Sequence, residues 1–419
     1  MTHLKSAALL AFAYSGMLKW VPLPIDVTAL TAMLLIAVTL QEIAGTRRQY
    51  ISGSLVCAGL MLGFLGLYVA TAVYSISGSY WLDRSLAVAL DAIAFVGAFI
   101  IIRDRAAVVS FLQLVQWTGC IVAAMVLALA VTGELERVSS GAERAESLFP
   151  DYLRLGLLVG GSLVVSVLRP GTSRVLSAVC CGSSLLCLGG RGPALAAVLT
   201  VAVALIAAPQ LRALLSPWRA AGGAIAMIVV ALIWATGAGA TSTSQPPLLI
   251  QRLSAATDSG EELERSSRVE IFATALKVWG DRPWLGTGIG GYGLAAYNTD
   301  REANPHNVVL EVAAETGIIG LFAFSLGAVC LASRTWRCFR VGDAPPVLAA
   351  LLVFYCLNYL KSSGFVSARD LYMFAGAVAS PAVLALRQIS GESRSNSTRH
   401  DGTNQRFAAP RPTVSKEYN

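Results

Sequence analysis

One histidine lies inside the body of this chain, and its position makes it the first candidate for chemistry. His306 closes a long polar segment just before an apolar run, whereas His3 and His400 lie near the two ends. An imidazole exchanges a proton near neutral pH, so it can act as an acid or a base. A polar ionisable residue where a loop re-enters a membrane is typical of functional chemistry. The alternative is a histidine that caps a helix at the lipid headgroups.

Two arginines are candidates for binding an anion. Arg191 lies in a glycine-rich turn, residues 188–194, between two apolar runs. A guanidinium holds phosphate through two parallel hydrogen bonds, although Arg191 could instead extend toward lipid phosphate. Arg268 lies in a segment, residues 258–279, whose capping-type start predicts a helix. Its side chain either points at whatever the apolar stripe of that helix rests upon or belongs to a solvated face. That stripe comprises Phe272, Ala275, Leu276 and Trp279.

A glycine-rich stretch follows this helix. Residues 280–293 superficially resemble a dinucleotide-binding fingerprint, but the sequence predicts no strand before them and no βαβ unit around them. The glycines instead predict a compact turn with positive φ angles and free N–H groups that could meet an anion. Trp284 and Tyr292 fit an interfacial aromatic belt better than a sugar-stacking surface.

The composition is that of a membrane protein. Hydrophobic residues make up 55% of the chain and charged residues 14%, and the mean hydropathy is +0.63. Apolar runs of roughly 17–25 residues can cross a bilayer as helices. The sequence therefore predicts an all-α polytopic membrane protein with about twelve transmembrane helices and one large, partly helical external loop. The predicted spans are 6–22, 26–44, 51–72, 85–102, 107–131, 155–168, 175–190, 194–208, 221–238, 311–332, 346–360 and 370–387.

The arginines of the connecting loops predict the orientation. With twelve helices, the basic loops fall on one side, which the positive-inside rule makes the cytoplasm. Both termini are then cytoplasmic. The basic residues of these loops are scattered singly and form no patch, which argues against nucleic-acid binding. They are Arg47, Arg48, Arg103, Arg105, Arg169, Arg174, Arg212, Arg219, Arg334, Arg337 and Arg340.

This orientation divides the chain into four parts. Residues 1–239 hold helices one to nine, residues 240–309 form the large external loop with the candidate site, and residues 310–388 hold the last three helices. Residues 389–419 are polar and basic, which predicts a disordered cytoplasmic tail. Residues 74–84, 132–154, 189–192 and 361–369 share the external face with the large loop.

The residues after His306 predict how it is held. Asn307 is a good N-cap for the helix that follows. Glu311 and Glu315 are one helical turn apart at the membrane boundary, where salt bridges with arginine are the favoured role. Orientation of the histidine is the other role. Gly317 and Gly320 predict close helix packing.

Asp91 and the cysteines are the remaining polar features within the apolar runs. A carboxylate at the depth of Asp91 is costly without a partner, so we expect it to pair with an external arginine such as Arg84 or Arg191. A proton-relay role is the alternative. The eight cysteines lie mainly in or beside apolar runs and lack a metal-ligand spacing, so they predict neither a metal site nor disulfides.

The order of these motifs resembles a known family. Arg191-Gly192 is followed by Arg268, by the glycine-rich residues 283–290, by His306-Asn307 and, nine residues later, by a Gly-x-x-Gly motif over residues 317–320. This order resembles the O-antigen ligase and O-antigen polymerase superfamily of bacterial envelope glycan enzymes. The resemblance is sharpest over residues 185–335, and the hydropathy profile extends it across residues 1–390.

The resemblance implies a glycosyltransferase of the bacterial inner membrane with a periplasmic site, without metal, ATP or cofactor. It implies a donor glycan on undecaprenyl diphosphate, with His306 as general base and with Arg191 and Arg268 stabilising the diphosphate leaving group. Residues with a weaker supporting case are Arg265, Asn307, Glu311, Asp91, Lys361 and Arg369.

The acceptor and the function class have alternatives. A lipid A–core acceptor makes the protein a ligase, which the His-Asn spacing slightly favours, whereas a second lipid-linked repeat makes it a polymerase of O-antigen or exopolysaccharide. A flippase for lipid-linked sugars fits the helix count equally well. Transporters usually show internal repeats and ionisable groups near the midplane, however, and this sequence gathers its polar residues at one surface. A structural partner in a glycan export complex is a further alternative.

Overall fold

The structure is a computed structural model that describes residues 2–18, 26–44, 52–132, 152–169, 174–188, 191–214, 260–301, 303–340, 345–362, 366 and 368–381. Side chains are described for the same residues except 17–18, 52, 152–153, 191, 213–214, 260–268 and 361–362. The described residues form helices and connecting turns, with no strand among them. The helices are α1 (Thr2–Tyr14), α2 (Val27–Ala44), α3 (Ser52–Ala70), α4 (Tyr80–Ile101), α5 (Arg105–Val131), α6 (Tyr152–Leu168), α7 (Arg174–Leu188), α8 (Arg191–Ala207), α9 (Gly260–Asp281), α10 (Tyr292–Tyr297), α11 (Val308–Phe339), α12 (Pro345–Ser362) and α13 (Arg369–Ala379).

The prediction of an all-helical membrane protein is confirmed over the described residues. Eleven of the twelve predicted apolar spans fall on described helices, and the span at 221–238 lies outside the described residues. Five helical segments are long and apolar enough to cross a membrane: Val27–Ala44, Gly53–Tyr74, Tyr80–Ile101, Arg105–Val131 and Val308–Phe339. Shorter apolar segments lie in α6, α7, α8 and α12. The total of about twelve spans stays a prediction.

Aromatic side chains and close backbone contacts hold the helices together. The Phe374 ring of α13 stacks on Tyr355 of α12 at 4.6 Å between centroids and lies 5.6 Å from the ring of Phe111 in α5. A Cβ atom at Gly376 would overlap the carbonyl group of Phe95, so α13 and α4 touch through their backbones. Such packing matters within a bilayer, where lipid tails are as apolar as the side chains and the hydrophobic effect does not drive helix association.

The ends of the helices form two faces, and α4 connects them. At one face, Lys5 of α1 and Arg103 at the start of the α4–α5 turn both pair with Glu42 of α2, with 2.7 Å between Arg103 Nη1 and Glu42 Oε2. The Gln210 side chain donates to the Phe339 carbonyl at the end of α11 on the same face. These contacts agree with the predicted grouping of basic loops on one side.

The other face, which we call the His306 face, is built from three segments that the sequence placed together. The turn from Ser77 to Ser79 before α4 contacts Asp300, and the Asn307 side chain donates to the Leu360 carbonyl near the end of α12. The turn before α4, the end of the large loop and the end of α12 therefore lie on a common face, and the assignment of this face to the outside of the membrane stays a prediction.

Helix α11 has a sharp kink at Gly317, where φ is 62° and ψ is −161°. The backbone of the preceding loop fills the gap, because Pro283 O accepts from Ile318 N at 2.8 Å and Ala314 O accepts from Thr287 N at 3.0 Å. Gly317 was predicted to permit close packing of another helix. The prediction named the wrong partner, because the segment that packs against Gly317 is the glycine-rich loop. A Cβ atom on Gly317 would overlap the Trp284 carbonyl and lie 2.6 Å from Leu285 N.

We expect Gly317→Ala to destabilise the protein markedly. The backbone conformation alone is one that essentially only glycine adopts, at a cost of about 1–3 kcal/mol for other residues, and the overlap with the loop adds to it. Thermal unfolding in detergent measures the loss. The matched control is Gly63→Ala in α3, where nothing lies within 4 Å of the added methyl group. An equal stability for the two variants would contradict the role of the kink.

Candidate functional site

His306 lies at a bend immediately before α11, with an exposed side chain. Its φ is 52°, in the left-handed region that few non-glycine residues adopt. The His306 amide donates to Asn304 Oδ1 at 3.0 Å, which supports the bend. Strained backbone of this kind concentrates at functional sites. The imidazole is therefore presented to the surface at the position that the sequence predicted, outside a helix N-terminus.

Asn307 caps α11, as predicted. Its Oδ1 accepts from the amides of Val309 at 2.9 Å and Leu310 at 3.1 Å, which satisfies two N–H groups at the helix start. Its Nδ2 reaches the Leu360 carbonyl at 3.4 Å. Asn307 therefore fixes the start of α11 against α12, and this role is structural.

Below His306, the side chains of Glu311 and Glu315 share one guanidinium. Arg84 Nη2 pairs with Glu311 Oε1 and lies 3.4 Å from Glu315 Oε2. The Tyr68 hydroxyl donates to Glu315 and accepts from Arg84 Nη2 at 3.3 Å. Arg84 is 4% exposed, Glu311 0% and Glu315 1%. The predicted salt-bridge role of both glutamates is confirmed, with Arg84 as the partner.

Sequence reasoning missed this function of Arg84 and Tyr68. Arg84 was expected to pair with Asp91 on its own helix, yet its described side-chain bonds go to α11 and to Tyr68 of α3. The available signal was the spacing of four residues between Glu311 and Glu315, which places two carboxylates on one side of a helix and calls for a cation opposite.

Asp91 and Arg369 lie near each other in the protein interior. Asp91 is fully buried and lies close enough to Arg369 to interact with it electrostatically. Arg369 donates to Ser15 Oγ at 2.7 Å and to Phe12 O at 3.1 Å, and its guanidinium lies 5.4 Å from the centre of the Phe12 ring. The sequence placed Arg369 in an external segment; the structure buries it against the end of α1. The possible pairing of Asp91 with Arg191 involves a side chain outside the described residues.

The other predicted cations are placed by their backbone alone. Arg191 begins α8, and the preceding helix α7 ends at Leu188. Arg268 and Arg265 lie within α9, and Lys361 lies in the last turn of α12. The side chains of these four residues lie outside the described ones. Their approach to His306 therefore stays a prediction.

The glycine-rich loop uses its amides inside the protein. Gly286, Gly288 and Gly290 have positive φ angles, as predicted. The amide of Gly288 donates to Glu315 O at 2.8 Å and that of Ile289 to Thr71 Oγ1 at 2.9 Å. The prediction that free amides of this loop meet an anion was wrong for these groups, because the kink of α11 and Thr71, which follows α3, accept their hydrogen bonds.

The apolar stripe of α9 is buried only in part. Ala275 and Val278 pack with Tyr292 and Ala314, whereas Leu276 is half exposed. The predicted stripe was therefore displaced, with Val278 as the missed member. Tyr292 is fully buried, which raises the pKa of its phenol and excludes it from an aromatic belt. Trp284 is 70% exposed and stays available for such a belt.

Asp300 fastens the large loop to the turn before α4. Its two carboxylate oxygens accept from Ser77 Oγ at 2.6 Å, from Gly78 N at 2.9 Å and from Ser79 N at 2.8 Å. We call this set of contacts the Asp300 clamp. The hydrogen bonds from the Ser77 hydroxyl and the Ser79 amide lower the pKa of Asp300. The clamp therefore holds best when the carboxylate is ionised.

We expect the clamp to weaken in acid. Because the pKa of Asp300 is lower in the folded protein, its contribution is complete above the ordinary aspartate pKa and is lost as the pH falls through the lowered value. Hydrogen exchange at Gly78 and Ser79, corrected for intrinsic rates, should rise across that acidic range. Asp300→Asn should already show severalfold faster exchange at neutral pH, because the charge-assisted bonds are lost.

Asp281→Asn is the control for this experiment, since Asp281 is exposed at the end of α9 and takes no part in the clamp. Unchanged exchange in Asp300→Asn would show that these bonds do not hold the turn.

The described residues offer no obvious metal centre. Among them, no three His, Cys, Asp or Glu side chains are grouped so that they could hold an ion.

Comparison with known proteins gives one finding. Residues 176–325 match a family model described as O-antigen ligase, while no curated protein matches the chain. The matched residues include Arg191, Arg268, the glycine-rich loop and His306, so they contain the motifs that carried the resemblance. The resemblance is therefore confirmed: the part of the chain that bears the candidate site is similar to O-antigen ligases.

Proposed function

We propose that the protein is a membrane glycosyltransferase that moves a glycan from a polyprenyl diphosphate carrier to an acceptor hydroxyl. The observation that carries the proposal is the exposed His306, held in a left-handed bend at the start of α11, within the stretch that matches O-antigen ligases. An exposed imidazole that is fixed by its backbone suits proton transfer with a bound substrate.

The proposed reaction needs one base and one site for developing negative charge. The acceptor hydroxyl attacks the anomeric carbon of the donor, and its proton passes to His306. The bond between that carbon and the diphosphate oxygen breaks, and the polyprenyl diphosphate leaves with the bonding electrons. Arg191 and Arg268 are proposed to stabilise the charge that forms on the diphosphate. The diphosphate linkage is itself activated, so the transfer needs no further energy source.

We infer that the His306 face is the periplasmic side of a bacterial inner membrane and that undecaprenyl diphosphate is the carrier. The support is the position of Lys5 and Arg103 together at the opposite face. Both chain ends are then cytoplasmic.

The acceptor defines two versions of the proposal. With lipid A–core as acceptor the protein is an O-antigen ligase, which is the version we favour because the matching family bears that description. With a second lipid-linked repeat as acceptor it is a polymerase. Glycan analysis of a deletion strain separates them: loss of a ligase leaves long polymer on its lipid carrier, and loss of a polymerase leaves single repeats.

We expect His306→Ala to lower the rate of transfer by about 100-fold or more, because the acceptor loses its general base. The measurement is acceptor-dependent release of polyprenyl diphosphate from proteoliposomes. His400→Ala, which removes a histidine near the chain end, is the control and should transfer at the wild-type rate. Transport of labelled lipid-linked sugar without acceptor would identify a flippase instead, and full activity of His306→Ala would refute the proposed base.

Arg191→Gln and Arg268→Gln should each lower kcat by about 100-fold, as expected when a donor to a developing oxyanion is removed. The same proteoliposome assay measures the effect. Arg282→Gln is the control, because Arg282 is an exposed arginine that directly follows α9, the helix that contains Arg268. A similar loss in all three variants would point to a general effect of surface charge and would contradict a specific diphosphate site.

A further inference from the structure

We propose that Arg84 and Glu311 are positioning residues that hold His306 at its working place; the catalytic consequence of this inference rests on the proposed function. Neither residue needs to touch the substrate. Contacts connect α4 to the chain on both sides of His306.

The connection downstream of His306 is short. The Glu311 amide donates to the Asn307 carbonyl at 3.0 Å, so Glu311 is one hydrogen bond away from the residue that follows His306. The Glu311 carboxylate is fully buried and pairs with Arg84. A paired buried charge is hard to displace, since separating the ions leaves an uncompensated charge in a medium of low dielectric constant. Glu311 therefore fixes the first turn of α11 relative to α4.

The connection upstream of His306 is the Asp300 clamp. Asp300 lies six residues before His306 in the sequence. It binds the hydroxyl of Ser77 and the amides of Gly78 and Ser79, which directly precede α4. The segment from Asp300 to Glu311, which carries His306, is thus held at both ends by residues 77–84. These residues form the turn before α4 and the beginning of α4.

Neighbouring contacts make this support rigid. Glu315 and Tyr68 share the Arg84 guanidinium, which ties α3 and the second turn of α11 to the same point. A Cβ atom at Gly290 would lie 3.4 Å from Arg84 Cγ, so the glycine-rich loop also packs on this side chain. The left-handed bend at His306 is unfavourable by itself and needs such support.

The expected consequence is a loss of turnover without a loss of substrate binding. A displacement of about 1 Å at a reacting group can lower a rate by about 100-fold. We therefore expect Arg84→Gln and Glu311→Gln to lower kcat by about that factor and to leave KM for the donor unchanged. A purely structural role would lower the yield of folded protein and leave kcat per folded molecule intact.

A direct readout of His306 tests the inference apart from activity. Replacing His3 and His400 with Gln leaves His306 as the only histidine, so labelling with ¹³C-histidine gives one imidazole signal in nanodiscs. We expect a single signal in the parent protein. Glu311→Gln and Arg84→Gln should shift it or split it, because the ring samples further positions.

Arg334→Gln is the matched control. Arg334 is a buried arginine of α11 that donates to Val378 and Ser380 carbonyls at the opposite face. Its replacement should lower stability while the His306 signal and kcat per folded molecule stay as in the parent. A change of the His306 signal as large as in Glu311→Gln would overturn the inference, since it would show a general response to a lost buried charge.

Asp300→Asn keeps the test decisive if the buried variants fold poorly, because Asp300 is reached from the surface. It should shift or split the His306 signal relative to the parent protein, and an unchanged signal would overturn the inference. A shifted signal together with full activity of His306→Ala would refute the proposed function and leave the positioning role in place.

Discussion

The structure depends on the requirement that a buried charge be paired. Arg84 enters the bundle from α4, and Glu311 and Glu315 reach it from α11, so three ionisable groups meet where water is excluded. Each would be costly alone in such surroundings. The attraction of both carboxylates to Arg84 therefore specifies the rotation of α11 about its axis, and with it the direction in which His306, just before the helix, is presented.

Backbone hydrogen bonds impose a second requirement, and the glycine-rich loop meets it. A kink in a membrane helix frees carbonyl and amide groups that lipid cannot satisfy. At Gly317 the loop supplies the missing partners, through Pro283 O and the amides of Thr287 and Gly288. The loop and the helix are therefore folded as one unit, and the loop connects helix α9 to the membrane-crossing part of the chain.

Much of this arrangement can be predicted from local sequence, and the predictions that were wrong concern contacts between distant parts of the chain. The apolar runs, the Asn307 cap and the pairing of the two glutamates each rest on spacing that a helix imposes. The pairing of Arg84 with Glu311 instead of Asp91 could not be read locally, because Glu311 lies more than 200 residues from Arg84 in the sequence. The glycines of the loop predicted its positive φ angles correctly. The acceptors of its amide hydrogen bonds could not be predicted, because they depend on the kink in α11.

The kink also explains a spacing in the sequence. Between the cap at Asn307 and the break at Gly317 lie nine helical residues, two and a half turns or about 13 Å of helix. One end of this rod is fixed by α12 and the other by the glycine-rich loop. One inserted residue would rotate the carboxylates by about 100° away from Arg84 and lengthen the rod beyond its two attachments. The number of residues between Asn307 and Gly317 therefore determines where the two glutamates and His306 lie. This spacing is as important to the proposed site as the imidazole itself.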